Sequence, residues 1–291
     1  MKDLQKLVDE TVAATLKNFS AGGLKADDLA ITLVDLSVAK KPIWASYRGD
    51  APAYPASVVK LFYLVAAHQW MADGKISDTP ELRRALRDMI VDSGNEPTGY
   101  VLDVLTDTTS GPELSPAELA AWHEKRNAVN RYFHGHGYPD LNANRKTWHE
   151  GPYGRDKQAV DQFIPARNFL TANTAARLLV EIEAGRCVSA GRSAQMLELM
   201  KRDFASADSQ DYQAREFIGK VSDKVLPRTA KLWSKAGYMS VARHDAALIE
   251  FADGKKIALV IFTERNSDQK ELLPEIARQI IAGFLAADGH K

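Results

Sequence analysis

The chain has little that would indicate a disulfide-bonded, membrane-spanning or nucleic-acid-binding protein. It contains one cysteine, Cys187, so no intrachain disulfide can form. Its 38 basic and 38 acidic residues give a formal net charge of zero, and therefore no general electrostatic reason to expect a nucleic-acid or membrane partner. No apolar run reaches the length of a transmembrane helix. We therefore expect neither kind of partner, and we expect a monomer.

The sequence also gives little reason to expect a metal or cofactor. His134 and His136 lie two residues apart in a glycine-rich turn. They lack the further Cys, His or carboxylate partners, at recognisable spacing, that a zinc site needs. We therefore interpret these histidines as turn residues and expect no metal and no cofactor.

The N-terminal segment is predicted to be an amphipathic helix with acidic residues in its first turns, and it does not resemble a signal peptide. As written, the chain is therefore expected to be cytoplasmic. At 291 residues, 45% of them hydrophobic, it is long enough to bury the core of one large domain or of two closely packed lobes.

Hydrophobic periodicity predicts an α/β protein of the α+β type. Strands are expected near both chain ends, and the Asp253-Gly254 pair predicts a two-residue hairpin turn between the last two. We expect an antiparallel sheet of about five strands, flanked by the terminal helices, with an all-helical lobe inserted between its halves. The expected elements are helices at 3–18 and about 270–287, strands near 30–36, 43–48, 230–238, 245–252 and 256–263, and helices from 57 to about 204 broken by an irregular segment at about 134–167. The predicted lobes are 1–52 plus 212–291 for the sheet and 53–211 for the helices, with the active site in the cleft between them.

Ser57 and Lys60 are the first candidates for chemistry. They lie three residues apart at the start of the apolar segment 58–67, so on a helix they share one face. Burial of that segment would lower the pKa of Lys60 towards that of a general base. Backbone N–H groups at the helix start favour the oxyanion that a serine nucleophile generates. The pattern therefore indicates a nucleophile, a base and half of an oxyanion hole.

The spacing alone is weak evidence, because the chain contains it twice more, at Ser37…Lys40 and Ser267…Lys270. The first follows a predicted strand and is interpreted as a hairpin connection, and the second as a loop or helix cap. Only Ser57 begins a long apolar segment. The alternative for Ser57 is a helix-start serine beside a lysine whose ammonium extends to solvent.

Two later motifs favour the catalytic interpretation. Ser93-Gly-Asn95 begins a predicted helix, and Lys235-Ala-Gly237 lies on a predicted strand. Together with Ser57-Val-Val-Lys, they resemble in type and order the S-x-x-K, S-D-N and K-T-G motifs of serine β-lactamases and penicillin-binding proteins. The chain is similar to that superfamily over nearly its whole length, and most similar to its class A-like branch.

The resemblance implies a role for each motif residue. Ser57 would be the acyl acceptor, and Lys60 would take or relay its proton. Ser93 would connect Lys60 to the leaving nitrogen, and Asn95 would hold Lys60 and the substrate amide. Lys235 would supply positive potential near the nucleophile and the substrate carboxylate.

The resemblance also implies an oxyanion hole. The backbone N–H of Tyr238, which follows Gly237, would complete it with the N–H of Ser57. Tyr238 and Gly237 are therefore candidates for substrate binding.

The motifs depart from the family pattern at two positions. Ala236 replaces the usual hydroxyl residue of Lys-Thr-Gly, which removes a donor to a substrate carboxylate. Arg243 or His244, eight and nine residues beyond Lys235, is a candidate replacement; the alternative is that Arg243 is an ordinary solvated cation. Gly94 replaces the aspartate of Ser-Asp-Asn, which we expect to matter less because the flanking residues carry the chemistry.

The residue that would activate water for deacylation is harder to assign. In class A-like enzymes a glutamate on an irregular loop does this. Glu150, in an Arg145…Trp148…Glu150 cluster, resembles that residue, but it lies further from Asn95 than the family pattern requires. The helical insertion 115–125 would account for the excess. The alternative is that Glu150 is a solvent-facing loop residue and that another acid between 124 and 161 acts instead, such as Glu124, Asp140 or Asp156.

We therefore expect a serine acyl-transfer hydrolase that acts on β-lactams or related small amides through a Ser57 acyl-enzyme. One alternative on the same scaffold is a D-alanyl-D-alanine carboxypeptidase, esterase or amidase. Another is a non-hydrolytic penicillin-binding or sensor module that is acylated once. Because cell-wall enzymes of the superfamily act outside the cytoplasm, the compartment would be periplasmic or extracellular if Met1 replaces a removed leader.

Overall fold

A six-stranded antiparallel sheet lies at the centre of the computed structural model. The structure describes residues 3–38, 41–148, 150–206, 209–221 and 225–286. The strands of this sheet are β1 (Leu29–Asp35), β2 (Ile43–Tyr47), β5 (Lys201–Arg202), β6 (Lys231–Met239), β7 (Ala242–Glu250) and β8 (Lys256–Glu264). They lie in the order β2-β1-β8-β7-β6-β5. A separate two-stranded sheet is formed by β3 (Leu141–Asn142) and β4 (Phe169–Leu170).

Eleven α-helices accompany the sheets in the described residues. They are α1 (Leu4–Asn18), α2 (Lys60–Ala72), α3 (Pro80–Ile90), α4 (Asn95–Thr106), α5 (Pro116–Arg126), α6 (Ala128–Gly135), α7 (Gly154–Gln162), α8 (Ala172–Glu183), α9 (Ala190–Met200), α10 (Tyr212–Glu216) and α11 (Leu272–Ala286). The predicted α+β class is confirmed: both terminal helices pack on one face of the sheet, and the middle of the chain is helical. Lys40 and the predicted helix end at residue 287 lie outside the described residues.

The sheet is buried on both faces, and this explains its nearly continuous hydrophobic strands. Along β8, Leu259 and Ile261 pack in a cluster with Val8 of α1 and Ile280 of α11. The alternate residues of β8, including Val260, belong to a second cluster formed with helices of the helical lobe. Because side chains alternate across a strand, one strand supplies both cores.

The hairpin between β7 and β8 forms as predicted, but its loop is longer than two residues. Phe251 N–H donates to Lys255 O at 2.8 Å, and Gly254 N–H donates to Phe251 O at 2.9 Å. Gly254 has a φ of +83°, in the left-handed region that glycine adopts without steric cost. Glycine in that conformation is typical of the longer hairpin loops.

Helix α2 carries the site lysine into the core. Ten of its 13 residues are buried, including Lys60, Phe62 and Tyr63. A helix that is hydrophobic on all sides is a core helix. The amine of Lys60 is therefore carried into the interior, as the apolar run predicts. The predicted lobe boundaries, 1–52 plus 212–291 and 53–211, stay a prediction.

Candidate active site

Ser57 lies in a 3-10 turn, Ala56–Val59, immediately before α2. The turn begins with a strained residue, since Ala56 has a φ of +45°. Val58 N–H donates to Pro55 O at 3.0 Å, which closes the turn. Ser57 itself is half-buried between the buried residues Ala56 and Val58. The nucleophile predicted from the sequence is thus at the entrance to a buried helix.

Lys60 has no exposed surface, and its amine faces the loop before α4. Its Nζ donates to Ser93 O at 2.6 Å, to Asn95 Oδ1 at 3.0 Å and to Gly94 O at 3.2 Å. It also lies 3.4 Å from Ser93 Oγ. Burial lowers the pKa of Lys60 to about 7, and the nearby carboxylate of Glu96 opposes part of that shift.

In the described residues, no hydrogen bond joins the Lys60 amine to Ser57. The two residues flank one turn of chain, and the amine is occupied by Ser93 and Asn95 instead. Catalytic hydrogen bonds in free enzymes are often long and tighten only when substrate is bound. The role of Lys60 as base to Ser57 therefore stays a prediction.

Lys235, on β6, places a second buried amine against the same serine. Its Nζ lies 2.9 Å from Ser93 Oγ and donates at 2.7 Å to both Gln213 Oε1 and Ala236 O. Burial lowers the pKa of Lys235 well below its usual value, and the positive charge of Lys60 lowers it further. Ser93 has a φ of +57°, and its hydroxyl is within hydrogen-bonding distance of both amines.

Gly237 brings strand β6 against the serine turn. A Cβ at this position would lie 2.8 Å from Pro55 O and 3.1 Å from Ser57 N, which is too close to fixed backbone. The absence of a side chain therefore permits the approach of the two segments that the predicted oxyanion hole requires. Tyr238, the next residue, is 52% exposed.

The glycine in Ser93-Gly-Asn95 has a local structural reason. A Cβ at Gly94 would lie 2.7 Å from the Cγ of Pro97. An aspartate, the family residue, would therefore collide with the proline ring in the first turn of α4. Ala236, the other departure, is buried in the apolar cluster that includes Phe217.

Arg243 and His244 are both buried by 98% or more and have partners of their own. Arg243 Nη2 donates to Glu216 O at 2.6 Å, and the guanidinium of Arg243 lies 5.5 Å from the ring centroid of Tyr238. His244 Nδ1 accepts from a backbone N–H, so the other nitrogen carries the proton that is donated to Tyr54 O at 2.8 Å. Burial lowers the pKa of His244 to about 4. His244 therefore connects the sheet to the segment before Ser57, and a substrate-binding role for Arg243 stays a prediction.

Glu150 is exposed, at the edge of a cavity of about 620 Å³ that also includes Asn95 and Glu96. Ser57 is not among the described residues that line this cavity. Hydrogen bonds of Arg145 hold the irregular loop in place. Its backbone N–H donates to Asn168 Oδ1 at 2.9 Å, and its Nη2 donates to Ala159 O at 3.0 Å. Glu150 thus lines the same cavity as Asn95, and its role as a base stays a prediction.

The alternative acids occupy different surroundings. Glu124 forms an ion pair with Arg131 at 2.8 Å on the surface. Asp140 lines a separate cavity with residues of β2. Asp156 is buried and lies 3.5 Å from the guanidinium of Arg126. In the described residues, none of the three has a hydrogen bond or ion pair to Ser57, Lys60 or Ser93, so none has a stronger geometric claim than Glu150.

Three residues near the amines were not predicted from the sequence. Gln213 accepts from Lys235, Arg202 donates to Ser234 O at 2.8 Å, and Glu96 acts electrostatically on Lys60. Gln213 and Arg202 lie in segments with no motif, and only the fold brings them to β6. Glu96 directly follows the motif residue Asn95, and only this position in the sequence could have indicated that Glu96 lies near the site.

The comparisons with known proteins agree with the predicted family and fold. The sequence profile of the β-lactamase enzyme family matches residues 11–284, and the chain belongs to that family. No match was found among curated protein sequences. The family and the class A-like fold identify the protein as a serine hydrolase of the β-lactamase type.

Solved structures show the same fold at low sequence identity. A β-lactamase from Sphaerobacter thermophilus has 18% identity and a TM-score of 0.68, with 96% of this chain and 97% of that chain covered. A β-lactamase from Chitinophaga pinensis has 17% identity and a TM-score of 0.66, with 99% and 100% covered. A mutant of PBP-A, in an acyl-enzyme complex with penicillin G, has 15% identity and a TM-score of 0.65, with 96% and 97% covered.

None of the helices in the described ranges is long and apolar enough to cross a bilayer.

Proposed function

We propose that the protein hydrolyses β-lactams or related small amides through an acyl-enzyme on Ser57. The observation that carries the proposal is the convergence of two buried amines, Lys60 and Lys235, on the Ser93 hydroxyl beside the Ser57 turn. Burying two amines is costly unless strong partners compensate, so two buried amines beside one hydroxyl favour a functional role. Depressed pKa values at a cleft are typical of groups that exchange protons in catalysis.

In the proposed acylation, the Ser57 oxygen attacks the carbonyl carbon of the amide and its proton passes to neutral Lys60. A pKa of about 7 leaves a substantial fraction of Lys60 neutral at physiological pH. The C–N bond then breaks, and Ser93 delivers a proton to the leaving nitrogen. Ser93 regains that proton from the lysine amines, since it lies within 3.4 Å of both.

The developing oxyanion is proposed to bind between the N–H groups of Ser57 and Tyr238. The close approach of Gly237 to Ser57 N supports this assignment. Asn95 and Lys235 would hold the substrate amide and carboxylate, with Arg243 as a further candidate. Fixed donors of this kind stabilise the transition state without reorganisation during the reaction.

Deacylation is proposed to use Glu150 as the base for water. The water oxygen attacks the ester carbonyl, its proton passes to the carboxylate, and the C–O bond to Ser57 breaks as the serine oxygen regains a proton. The cavity shared by Glu150 and Asn95 supports a route for water to this side of the cleft.

A second candidate follows from the exposure of Glu150. If no carboxylate reaches the Ser57 ester, deacylation is slow, and the protein acts as a D-alanyl-D-alanine carboxypeptidase or esterase-like enzyme, or as a penicillin-binding or sensor module. The observation that favours it is that Glu150 lies at the exposed edge of its cavity, whose described lining does not include Ser57.

Incubation with penicillin G, followed by intact-protein mass spectrometry over time, tests these proposals. A transient adduct of the mass of the antibiotic supports the hydrolase. An adduct that persists for hours supports the penicillin-binding alternative. The absence of any adduct with β-lactams, and of acyl transfer from D-alanyl-D-alanine peptides or esters, would contradict both.

A further inference from the structure

One side chain, that of Gln213, connects strand β6 to the end of helix α3. It is 4% exposed. Its Oε1 accepts from Lys235 Nζ at 2.7 Å and from Ala236 N–H at 3.0 Å. Its Nε2 donates to Ile90 O at 2.9 Å and to Val91 O at 2.8 Å. All four hydrogen-bonding positions of the amide are thus used.

These partners determine the orientation of the Gln213 amide. The Ala236 N–H can only donate, and the Ile90 carbonyl can only accept. The oxygen must therefore face β6 and the nitrogen must face α3. An amide rotated by half a turn would place its nitrogen against the two donors of β6 and its oxygen against the two carbonyls at the end of α3. Only the observed orientation therefore satisfies all four hydrogen bonds.

The carbonyls that Gln213 binds are at the C-terminal end of α3, where helices leave carbonyl groups without intrahelical partners. Arg202 Nη2 donates to the same Ile90 O at 3.0 Å and to Ser234 O of β6 at 2.8 Å. The chain reaches Ser93 only a few residues after Ile90. The position of the helix end relative to β6 therefore determines how far the Ser93 hydroxyl lies from Lys235.

We propose that Gln213 is a positioning residue that sets the distance and orientation of the Lys235 amine relative to the Ser93 hydroxyl. The inference rests on the proposed acyl-transfer function. Gln213 orients two participants at once, because one end of its amide holds the amine and the other end holds the helix that leads to the hydroxyl. An error of about 1 Å in such a position can lower a rate about 10²-fold.

Gln213 is uncharged, and this affects the protonation of Lys235 because Lys235 lies among charged groups. Burial lowers the pKa of Lys235 most, Lys60 and Arg202 lower it further, and Asp245 and Asp211 raise it. Asp245 is itself buried, and burial raises its pKa to about 6. A neutral amide gives Lys235 an acceptor without adding an anion that would fix the amine in its protonated form.

Two substitutions separate these effects. Gln213→Glu keeps an oxygen acceptor for Lys235 but adds negative charge and removes both donors to α3. Gln213→Leu removes all four hydrogen bonds at similar size. The matched control is Gln158→Leu, since Gln158 also joins two backbone groups, donating to Leu114 O and accepting from Leu114 N–H, but has no lysine partner.

The first readout is the titration of the lysine amines by NMR on protein with ¹³C-labelled lysine, with Lys235→Arg to assign the signal. We expect the pKa of Lys235 to rise by about one unit or more in Gln213→Glu, because a carboxylate would replace a neutral oxygen at its side. An unchanged titration in a folded variant would overturn the inference. This readout does not require acylation, so it remains decisive if the proposed function fails.

The second readout is the acylation rate with penicillin G, divided by the fraction of folded protein. Gln213→Leu should acylate about 10²-fold more slowly than Gln158→Leu. Equal rates for the two variants would contradict positioning by Gln213. If wild-type protein forms no adduct but the titration shift is present, the acyl-transfer proposal fails while the positioning of Lys235 by Gln213 stands.

Discussion

Lys60 and Lys235 place two buried amines within 3.4 Å and 2.9 Å of one hydroxyl, that of Ser93. Two positive charges this close in the interior repel each other, and the charge of Lys60 helps to lower the pKa of Lys235. The pair therefore titrates as a coupled unit, in which protonation of one amine favours the neutral form of the other. In the proposed mechanism, this unit accepts a proton from Ser57 and returns one through Ser93.

The first prediction is that acylation follows the ionisation of Lys60. Its pKa is lowered to about 7, so the neutral amine that acts as base forms as pH rises through that value. The second-order rate of acylation should therefore rise between about pH 6 and pH 8. Lys60→Ala should slow it by about 10²–10⁴-fold, the usual contribution of a general base.

Glu96 provides a test of that assignment. Its carboxylate raises the pKa of Lys60 against the effect of burial. Glu96→Gln should therefore move the rising limb of the pH profile to lower pH, whereas Glu113→Gln, on an exposed loop, should leave it in place. A limb that stays fixed in Glu96→Gln, or moves upward, would show that another group controls it.

The second prediction concerns the nucleophile. Ser57→Ala should abolish the covalent adduct with penicillin G, because Ser57 is the proposed acyl acceptor and Ser93, whose hydroxyl lies near both amines, is assigned to proton transfer. The fold should be retained, because Ser57 is half-buried and its hydroxyl has no hydrogen bond to another described residue. Intact mass and thermal unfolding measure both effects, with Ser77→Ala on an exposed loop as the control. An adduct of unchanged yield in Ser57→Ala would refute the proposed chemistry.

The third prediction concerns the contact between β6 and the serine turn. Gly237→Ala would place a methyl group 2.8 Å from Pro55 O, so the strand and the turn must separate. The oxyanion hole should widen, and acylation should fall by about 10²–10³-fold, as when one donor is lost. Gly191→Ala is the matched control, since a Cβ there meets nothing within 4 Å. Equal acylation by the two variants would show that this approach is not needed for catalysis.

The features that the sequence predicted well, such as the burial of Lys60, depend on short segments of the chain. Ser57 and Lys60 are separated by one turn, and the apolar run after them predicts the burial that lowers the lysine pKa. The long strands β7 and β8 were predicted because each carries an apolar run long enough to be recognised, and nearly all of their nine residues are buried. Patterns within short segments of the sequence therefore predicted the long strands of the sheet, the helical lobe and the burial of the Lys60 amine.

The parts that were missed depend on contacts between distant segments. Strand β5 has two residues, Lys201–Arg202, which is too short for any period to be recognised. Gln213 lies 22 residues before Lys235 and 123 residues after Ile90, so its role exists only in the folded chain. The position of Glu150 likewise depends on the path of an irregular loop, which has no periodicity to predict it.

The last prediction concerns Glu150, whose role as a base decides between hydrolysis and a persistent acyl-enzyme. Only the second step needs a base for water, so Glu150→Gln should leave the rate of acylation nearly unchanged and let the acyl-enzyme accumulate. The expected kinetics with penicillin G are a burst of one equivalent followed by a slow steady state. The deacylation rate should fall by about 10²-fold or more, as expected for loss of general-base catalysis.

Glu124→Gln is the matched control, because that residue is an exposed acid on a neighbouring helix, paired with Arg131. It should deacylate at the wild-type rate. If Glu150→Gln matches wild type in both phases, Glu150 is an ordinary loop residue, and Asp140→Asn and Asp156→Asn become the variants to measure. If the wild-type acyl-enzyme persists for hours, no residue supplies the base, and the exposed position of Glu150 explains why the protein retains its acyl group.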